Sequence, residues 1–461
     1  MSNSTNFTEH IPSLVESKFY PGDIAWVLAS TGLVWLMIPG LGFFYSGMAR
    51  CKNALSLIML CFLTVPVVSI QWFICGYSLS FNRNGGPFIG NFENAFFINV
   101  LSDVGPTPTT WRIPELVFAI FQGMFAAITP AIAIGSAAER TRLIPTLIFI
   151  FVWSTLVYDF IASWCWSANG WYSQLGGLDF AGGTPVHITS GSAALAFCIF
   201  LGKRHNHGID EFKPHNITYV VLGTTFLWFG WFGFNGGSAT AANMRAILAC
   251  TVTNLAASFG GLTWMIMDYR MEHKLSALGF CSGAVAGLVA ITPGSGYVAP
   301  HYAVVFGICG GAICNLAVKL KHIFDYDDAL DVFAVHGIGG LVGNLLTGVF
   351  ADKNIAALSG EEIMGGVINQ NYIQLAKQLS SSGAGLMYSF IMTYIILLVL
   401  NKIPFLSIRL HPEKEALGTD ESDHGESAYY FVERIEKALN NIFLKPIPQQ
   451  PLPQEAIFNI Y

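Results

Sequence analysis

The sequence predicts an all-α integral membrane protein with eleven transmembrane helices, arranged as an inverted five-plus-five repeat followed by one further helix. Three observations carry that expectation: a scarcity of charge, eleven stretches long enough to cross a bilayer, and paired motifs that recur five stretches apart. Of 461 residues, 53% are apolar and only 11% are charged, and the mean hydropathy is +0.52. Soluble domains carry about 25% charged residues, so this chain lacks the polar surface that water requires and its partner is a lipid bilayer. The net charge of −6 is spread thinly, with no basic run for nucleic acid.

A helix needs about 20 residues to cross the hydrocarbon. Apolar stretches of that kind fall at 23–48, 54–79, 113–138, 143–166, 183–202, 216–235, 243–268, 275–293, 300–320, 330–351 and 382–408. The fifth and eighth are glycine-rich and weakly apolar, so hydropathy alone leaves ten or eleven, and charge decides. With eleven spans, one set of connections gathers Arg50, Lys52, Arg140, Arg142, Lys203, Arg204, Lys213, Arg270, Lys274, Lys319 and Lys321. The other set holds Lys18, Arg83, Arg112, Arg245, Lys353 and Lys377 over longer loops. The positive-inside rule puts the first set in the cytoplasm. The polar segment 1–22 is then extracellular, 23–408 is the transmembrane domain, and the charged tail 409–461 is cytoplasmic. Two glycosylation sequons, at Asn3 and Asn6, agree with an outer N-terminus.

The repeat rests on two echoes. "GLGFFYSG" (Gly40 to Gly47) in the first span matches "GWFGFNGG" (Gly230 to Gly237) in the sixth, and "PVHITSG" in the fifth matches "AVHGIGG" in the tenth. Five is odd, so the two halves must run in opposite senses, which is the architecture of many transporters with a site near the midplane. Glycines four apart (Gly279, Gly283 and Gly287; Gly307 and Gly311; Gly339 and Gly343) predict close helix packing.

His187 and His336 occupy matching places in the two halves. An imidazole in hydrocarbon needs a partner or a task. Three readings compete: structural hydrogen bonding between helices, a metal site, and a pore lined by a histidine pair. Neither Asp331 nor Asp179 stands at ligand spacing from a histidine, so neither a metal nor any other cofactor is expected. The nine cysteines lack C-x-x-C spacing and read as packing residues. A membrane-embedded enzyme built on the two histidines lacks a nucleophile or third ligand, so no enzymatic activity is expected. An unrelated inverted-repeat pore for water or another small solute stays open. Neutral imidazole both donates and accepts hydrogen bonds, which suits a pore for a small polar cargo.

At this point longer motifs carry a family resemblance. "DFAGGTPVHITSGSAALA" (Asp179 to Ala196), "FQGMFAAITPAIAIGSAAER" (Phe121 to Arg140), "WFGWFGFNGGS" (Trp228 to Ser238) and "DVFAVHGIGGLVGNLLTG" (Asp331 to Gly348) resemble segments of the ammonium transporter, methylammonium permease and Rhesus superfamily. The tail "LGTDESDHGESAY" (Leu417 to Tyr429) resembles the family's tail motif, and "IPFLSIRLHPEKEALGTDE" is similar to the fungal permease branch. The resemblance spans roughly residues 23–430.

It implies a homotrimer with one pore per subunit, moving ammonium or methylammonium across the plasma membrane. An outer recruitment site would use Ser238, Phe125 and a tryptophan, with Trp166 chosen over Trp164 and Trp171. Phe125 and Phe234 would form a phenylalanine gate, His187 and His336 the twin-histidine pair, and Asp179 a structural and electrostatic support. Aromatic faces attract a cation by about 0.5–2 kcal/mol but do not separate ammonium from potassium; the loss of a proton, open only to ammonium, does. The alternative function is an ammonium sensor signalling through the tail, where a cytoplasmic regulator or kinase acting on Thr419 or Ser422 is an expected partner. Asp159, within the fourth span, departs from the family pattern and reads as a local hydrogen-bonding residue or one facing a wet vestibule.

Overall fold

The computed structural model describes residues 19–101, 105–107, 110–209 and 212–429; the sequons at Asn3 and Asn6 lie outside them. Among the described residues the fold is helical and has no strand, and Thr141 and Arg409 form an isolated antiparallel bridge. Eleven helices are long and apolar enough to span: α1 (Pro21–Met48), α2 (Cys51–Phe81), α3 (Glu115–Ala137), α4 (Leu143–Gln174), α5 (Gly183–Leu201), α6 (Ile217–Gly237), α7 (Met244–Glu272), α8 (Ala277–Gly294), α9 (Pro300–Ile323), α10 (Phe333–Phe350) and α11 (Ile373–Lys402). The expected count and order are borne out.

The eleventh span shifts at both ends: its helix begins at Ile373, not near 382, and ends at Lys402, so residues 403–408, expected to be helical, lie outside it. Hydropathy misses the polar first turns because their polar atoms are satisfied inside the protein. Gln378 donates to the Leu178 carbonyl at 2.7 Å and accepts from its N–H at 3.0 Å. Ser381 donates to Thr184 Oγ1 at 3.0 Å, and Ser389 to the Thr189 carbonyl at 2.7 Å.

α3, α5 and α8 are the most enclosed helices and α11 the least. α1 packs along α6, and α5 crosses α10, so in these two pairs a span meets its counterpart from the other half of the chain. The α5–α10 crossing is backbone on backbone: a Cβ at Gly191 would lie 2.2 Å from the Gly337 nitrogen. The expected glycine steps serve the same purpose where α7, α8 and α9 meet, since a Cβ at Gly283 or Gly311 would approach the Gly260 carbonyl to 2.5 or 2.6 Å.

Asp159 is fully buried, bonded to Gln71 Nε2 at 2.7 Å and Ser80 Oγ at 3.3 Å, and lines no vestibule. It is therefore a local hydrogen-bonding residue. It follows a π-helical turn, Ser154–Tyr158, and a second such turn, Trp72–Gly76, follows Gln71.

The end of the bundle opposite Ser238, termed inner for the charge asymmetry, is tied by a buried ion network. Arg204 grips Asp327 with Nη2–Oδ1 at 2.8 Å and Nε–Oδ2 at 2.9 Å, while Arg50 Nε reaches Glu139 at 2.8 Å. Burial opposes the charge on both carboxyls, yet the adjacent guanidiniums hold Asp327 and Glu139 below the usual carboxylate range.

The tail docks on this end through a short helix, α12 (Pro412–Leu417), and the turn after it. Asp420 accepts from the Leu55 and Ser56 N–H groups at 3.0 and 2.8 Å, and Asp423 from the Leu143 N–H at 2.7 Å. Two carboxylates thus sit at the starts of α2 and α4, where unpaired N–H groups and the helix dipole favour negative charge. Thr419 donates its hydroxyl to Asn53 Oδ1 at 3.0 Å and is buried, and the Ser422 hydroxyl is also enclosed.

Candidate functional site

Five helices place the site. Phe125 comes from α3, Trp166 from α4, His187 from α5, Phe234 and the following Ser238 from the end of α6, and His336 from α10. They form a column. A broad outer cavity is lined by Trp166, Asp179, Ser238 and Gln122 among others. At its floor the Phe125 ring meets Phe234 at 4.2 Å between centroids, tilted by 33°, and both side chains are fully buried. The gate is closed. Trp166 stands edge-on to Phe125 at 5.8 Å and donates its indole N–H to the Asp179 carbonyl at 2.9 Å. Trp164 and Trp171 pack on each other instead, away from this wall, so of the three tryptophans only Trp166 joins the column.

Below these two rings lies the histidine pair. The His187 ring stacks beneath Phe234 at 6.1 Å and beside Trp231 at 5.5 Å, and Trp231 is held by its N–H bond to Thr292 Oγ1 at 3.0 Å. The Nδ1 atoms of His187 and His336 are 3.2 Å apart. Each ring is carried by a π-helical turn, Gly183–Ile188 and Phe333–Ile338. His187 Nε2 is buried without a protein partner, and the cavity beyond the rings is walled by Leu41, Ile128, Val335 and other apolar side chains. One ring nitrogen in this largely apolar cavity therefore keeps its hydrogen-bonding capacity.

Asp179, at the wall of the outer cavity, commits its carboxylate to the start of the fifth helix. Its Oδ1 accepts from the Gly182 and Gly183 N–H groups at 2.8 Å each, and its Oδ2 from Thr184 at 2.7 Å. Burial lifts its carboxyl to about 6 against the pull of those three N–H bonds. Sequence reasoning missed its counterpart. Asp328 stands eight residues before His336, as Asp179 does before His187, and it caps α10 through the Phe333 N–H at 2.8 Å. Burial, then the neighbouring Asp331, raises Asp328 likewise to about 6. The recurring Asp-x7-His spacing is the signal that marks both.

Among the described residues no group of three or more His, Cys, Asp and Glu side chains is arranged to hold a metal ion. The polar and aromatic groups form instead an outer cavity, a closed aromatic floor and a buried histidine pair within eleven apolar helices, the architecture of a multi-pass membrane protein. The comparisons specify which. The Ammonium Transporter Family model matches residues 25–429, and the chain belongs to that family. It is 52% identical over 424 residues to Ammonium transporter 1 of Schizosaccharomyces pombe, covering 91% of this chain and 85% of the relative. To Ammonium transporter MEP2 of Saccharomyces cerevisiae it is 45% identical over 458 residues, covering 96% and 90%. The crystal structure of Candida albicans Mep2 superposes with a TM-score of 0.82 at 48% identity, covering 86% of this chain and 88% of that one. These relatives are transporters, not enzymes.

Proposed function

We propose that the protein takes up ammonium across the plasma membrane, with residues 1–22 outside, 23–408 spanning and 409–461 in the cytoplasm, as a homotrimer. The cation is recruited against Trp166, Phe125 and Ser238, gives up a proton to water of the outer cavity above the closed ring pair Phe125–Phe234, and continues as neutral ammonia past His187 and His336. The observation that carries this reading is the 3.2 Å histidine pair lying directly beneath that gate in an apolar conduit. A bare cation in such surroundings meets a penalty of many kcal/mol, whereas neutral ammonia meets little. Potassium has no proton to lose and is refused at the same step.

The test is methylammonium uptake by cells that lack their own permeases, with parallel current recordings and potassium as competitor. Selective uptake that disappears in His187→Ala and in His336→Ala supports the reading. Uptake and selectivity unchanged in both variants would sink it.

A second reading, an ammonium sensor that signals through its tail, is favoured by the docking of residues 412–424 onto the starts of α2 and α4. On that reading, removing 430–461 leaves uptake intact and abolishes the growth response to ammonium.

A further inference from the structure

We infer that Gln122 is a second oxygen ligand of the outer recruitment site, accepting an N–H of the arriving cation alongside Ser238; the inference rests on the recruitment reading above. Gln122 precedes Phe125 by three residues on α3. That spacing keeps the two on one helix face and sets Gln122 about 4.5 Å nearer the outer cavity. It lines that cavity together with Phe118, Trp166, Asp179 and Ser238. Its side chain is 7% exposed, and its Oε1 is buried without a hydrogen-bond partner. Buried amides left unmatched are uncommon and unfavourable. An unmatched one beside a cation-attracting wall points to a ligand. With no internal network to orient it, the amide is free to present its oxygen to a cation.

The geometry of the other groups explains why a second oxygen matters. Ser238 Oγ donates its proton to the Phe234 carbonyl at 2.8 Å, so toward the cavity it can only accept. Asp179 is not available, because its oxygens already receive three backbone N–H groups. The faces of Trp166 and Phe125 attract positive charge without fixing its orientation. Ammonium carries four N–H donors in a tetrahedron and accepts nothing. Two neutral oxygens over an aromatic wall suit that donor set, whereas a spherical ion selected by a full shell of oxygens is left under-coordinated. Gln122 thereby contributes to specificity as well as to capture, and methylammonium, with three donors, still satisfies both oxygens.

The experiment measures saturation of methylammonium uptake, with surface protein quantified, for the full chain carrying Gln122→Met, Gln122→Glu or Ser238→Ala. Loss of a hydrogen bond to a charged group predicts that Gln122→Met raises KM about tenfold, with Vmax and surface amount near those of the parent. Gln122→Glu keeps an acceptor oxygen and retains a KM at or below the parent value, and potassium inhibits Gln122→Met uptake more strongly than parent uptake. If Ser238→Ala raises KM while Gln122→Met does not, the assignment of Gln122 fails and the recruitment site stands. If neither changes KM, both fail. A fall in Vmax and surface protein for both Gln122 variants at unchanged KM means a packing role and overturns the inference; should Gln122→Met alone fail to reach the membrane, an elevated KM in Gln122→Glu overturns it as well.

Discussion

His187 Nδ1 and His336 Nδ1 face each other at 3.2 Å, an arrangement that two neutral rings satisfy only as unlike tautomers. If one ring carries its proton on Nδ1, the other must leave that nitrogen bare. The pair is chemically asymmetric although the repeat that supplies it is symmetric, and the protonation of one ring dictates that of the other.

Loss of either ring therefore disables both. His187→Ala also removes the stack under Trp231 and Phe234. Each single alanine variant is expected to lower selective methylammonium uptake by at least about tenfold, the scale of one buried hydrogen-bonding partner lost. The double variant should add little to either. Additive losses in a double-mutant cycle would show that the rings act independently.

Asp179 titrates near pH 6. Its folded value lies above the ordinary one of about 3.9, so its protonated form favours the fold: that stabilisation is full below about pH 4 and is lost as pH rises through about 6. Cation capture has the opposite sign, since the carboxylate is negative only above that pH. The KM for methylammonium should rise as pH falls from 7 to 5 and should be flat over that range in Asp179→Asn. Parallel pH profiles for parent and variant would remove Asp179 from the electrostatics of capture.

The α5–α10 crossing has no room for a methyl group. Gly191→Ala places a carbon 2.2 Å from the Gly337 nitrogen and should cost about 1–3 kcal/mol as overpacking. The histidines would separate with the helices. Lower thermal stability together with lost uptake is expected, and Gly383→Ala, where no atom lies within 4 Å, serves as the neutral control.

Asp420 holds the tail. Its replacement by alanine leaves the Leu55 and Ser56 N–H groups without their cap, a loss of about 0.5–2 kcal/mol. Protease nicking after residue 403 should accelerate while the spans stay intact. Because Thr419 is buried and bonded to Asn53, a kinase reaches it only from the undocked tail, so Asp420→Ala should also increase labelling at Thr419. An unchanged nicking pattern would place the tail's hold elsewhere.

Asp159→Asn should be tolerated, since an oxygen remains to accept from Gln71 or Ser80. Asp159→Leu leaves both donors buried and unmatched and should lower the folded yield by an amount matching about 1–3 kcal/mol per donor. Equal yields from the two variants would make the carboxyl's bonds incidental.

The features legible in the sequence are those with a periodic or repeated signal. The spans and the paired histidines announce themselves as apolar length or as an echo five spans apart, and the number of spans follows from the distribution of Lys and Arg over the connections. Trp166 is recoverable only from the family motif, because three tryptophans within a few residues look alike until one turns its edge to Phe125. The polar start of α11 is hidden because hydropathy sees exposure to lipid and not satisfaction by Leu178 and Thr184. Asp328 is within reach through its spacing from His336, but a single carboxylate outside an apolar stretch carries no weight until its partner motif is aligned. Gln122 has no signal at all: an amide becomes informative only when its surroundings leave it unmatched.

The widened turns at Gly183–Ile188 and Phe333–Ile338 make the facing of each imidazole a matter of counting. Such a turn holds one residue beyond the regular helical complement. Excising a single residue there would let the backbone relax to ordinary winding while the turns on either side keep their facing, whereas the same excision from a regular helix rotates one side against the other by about 100°. Loss of the surplus residue would thus re-aim only the side chains within the turn, so deletion scanning should swing a ring locally in these two short tracts and shift the whole span in the regular helix nearby.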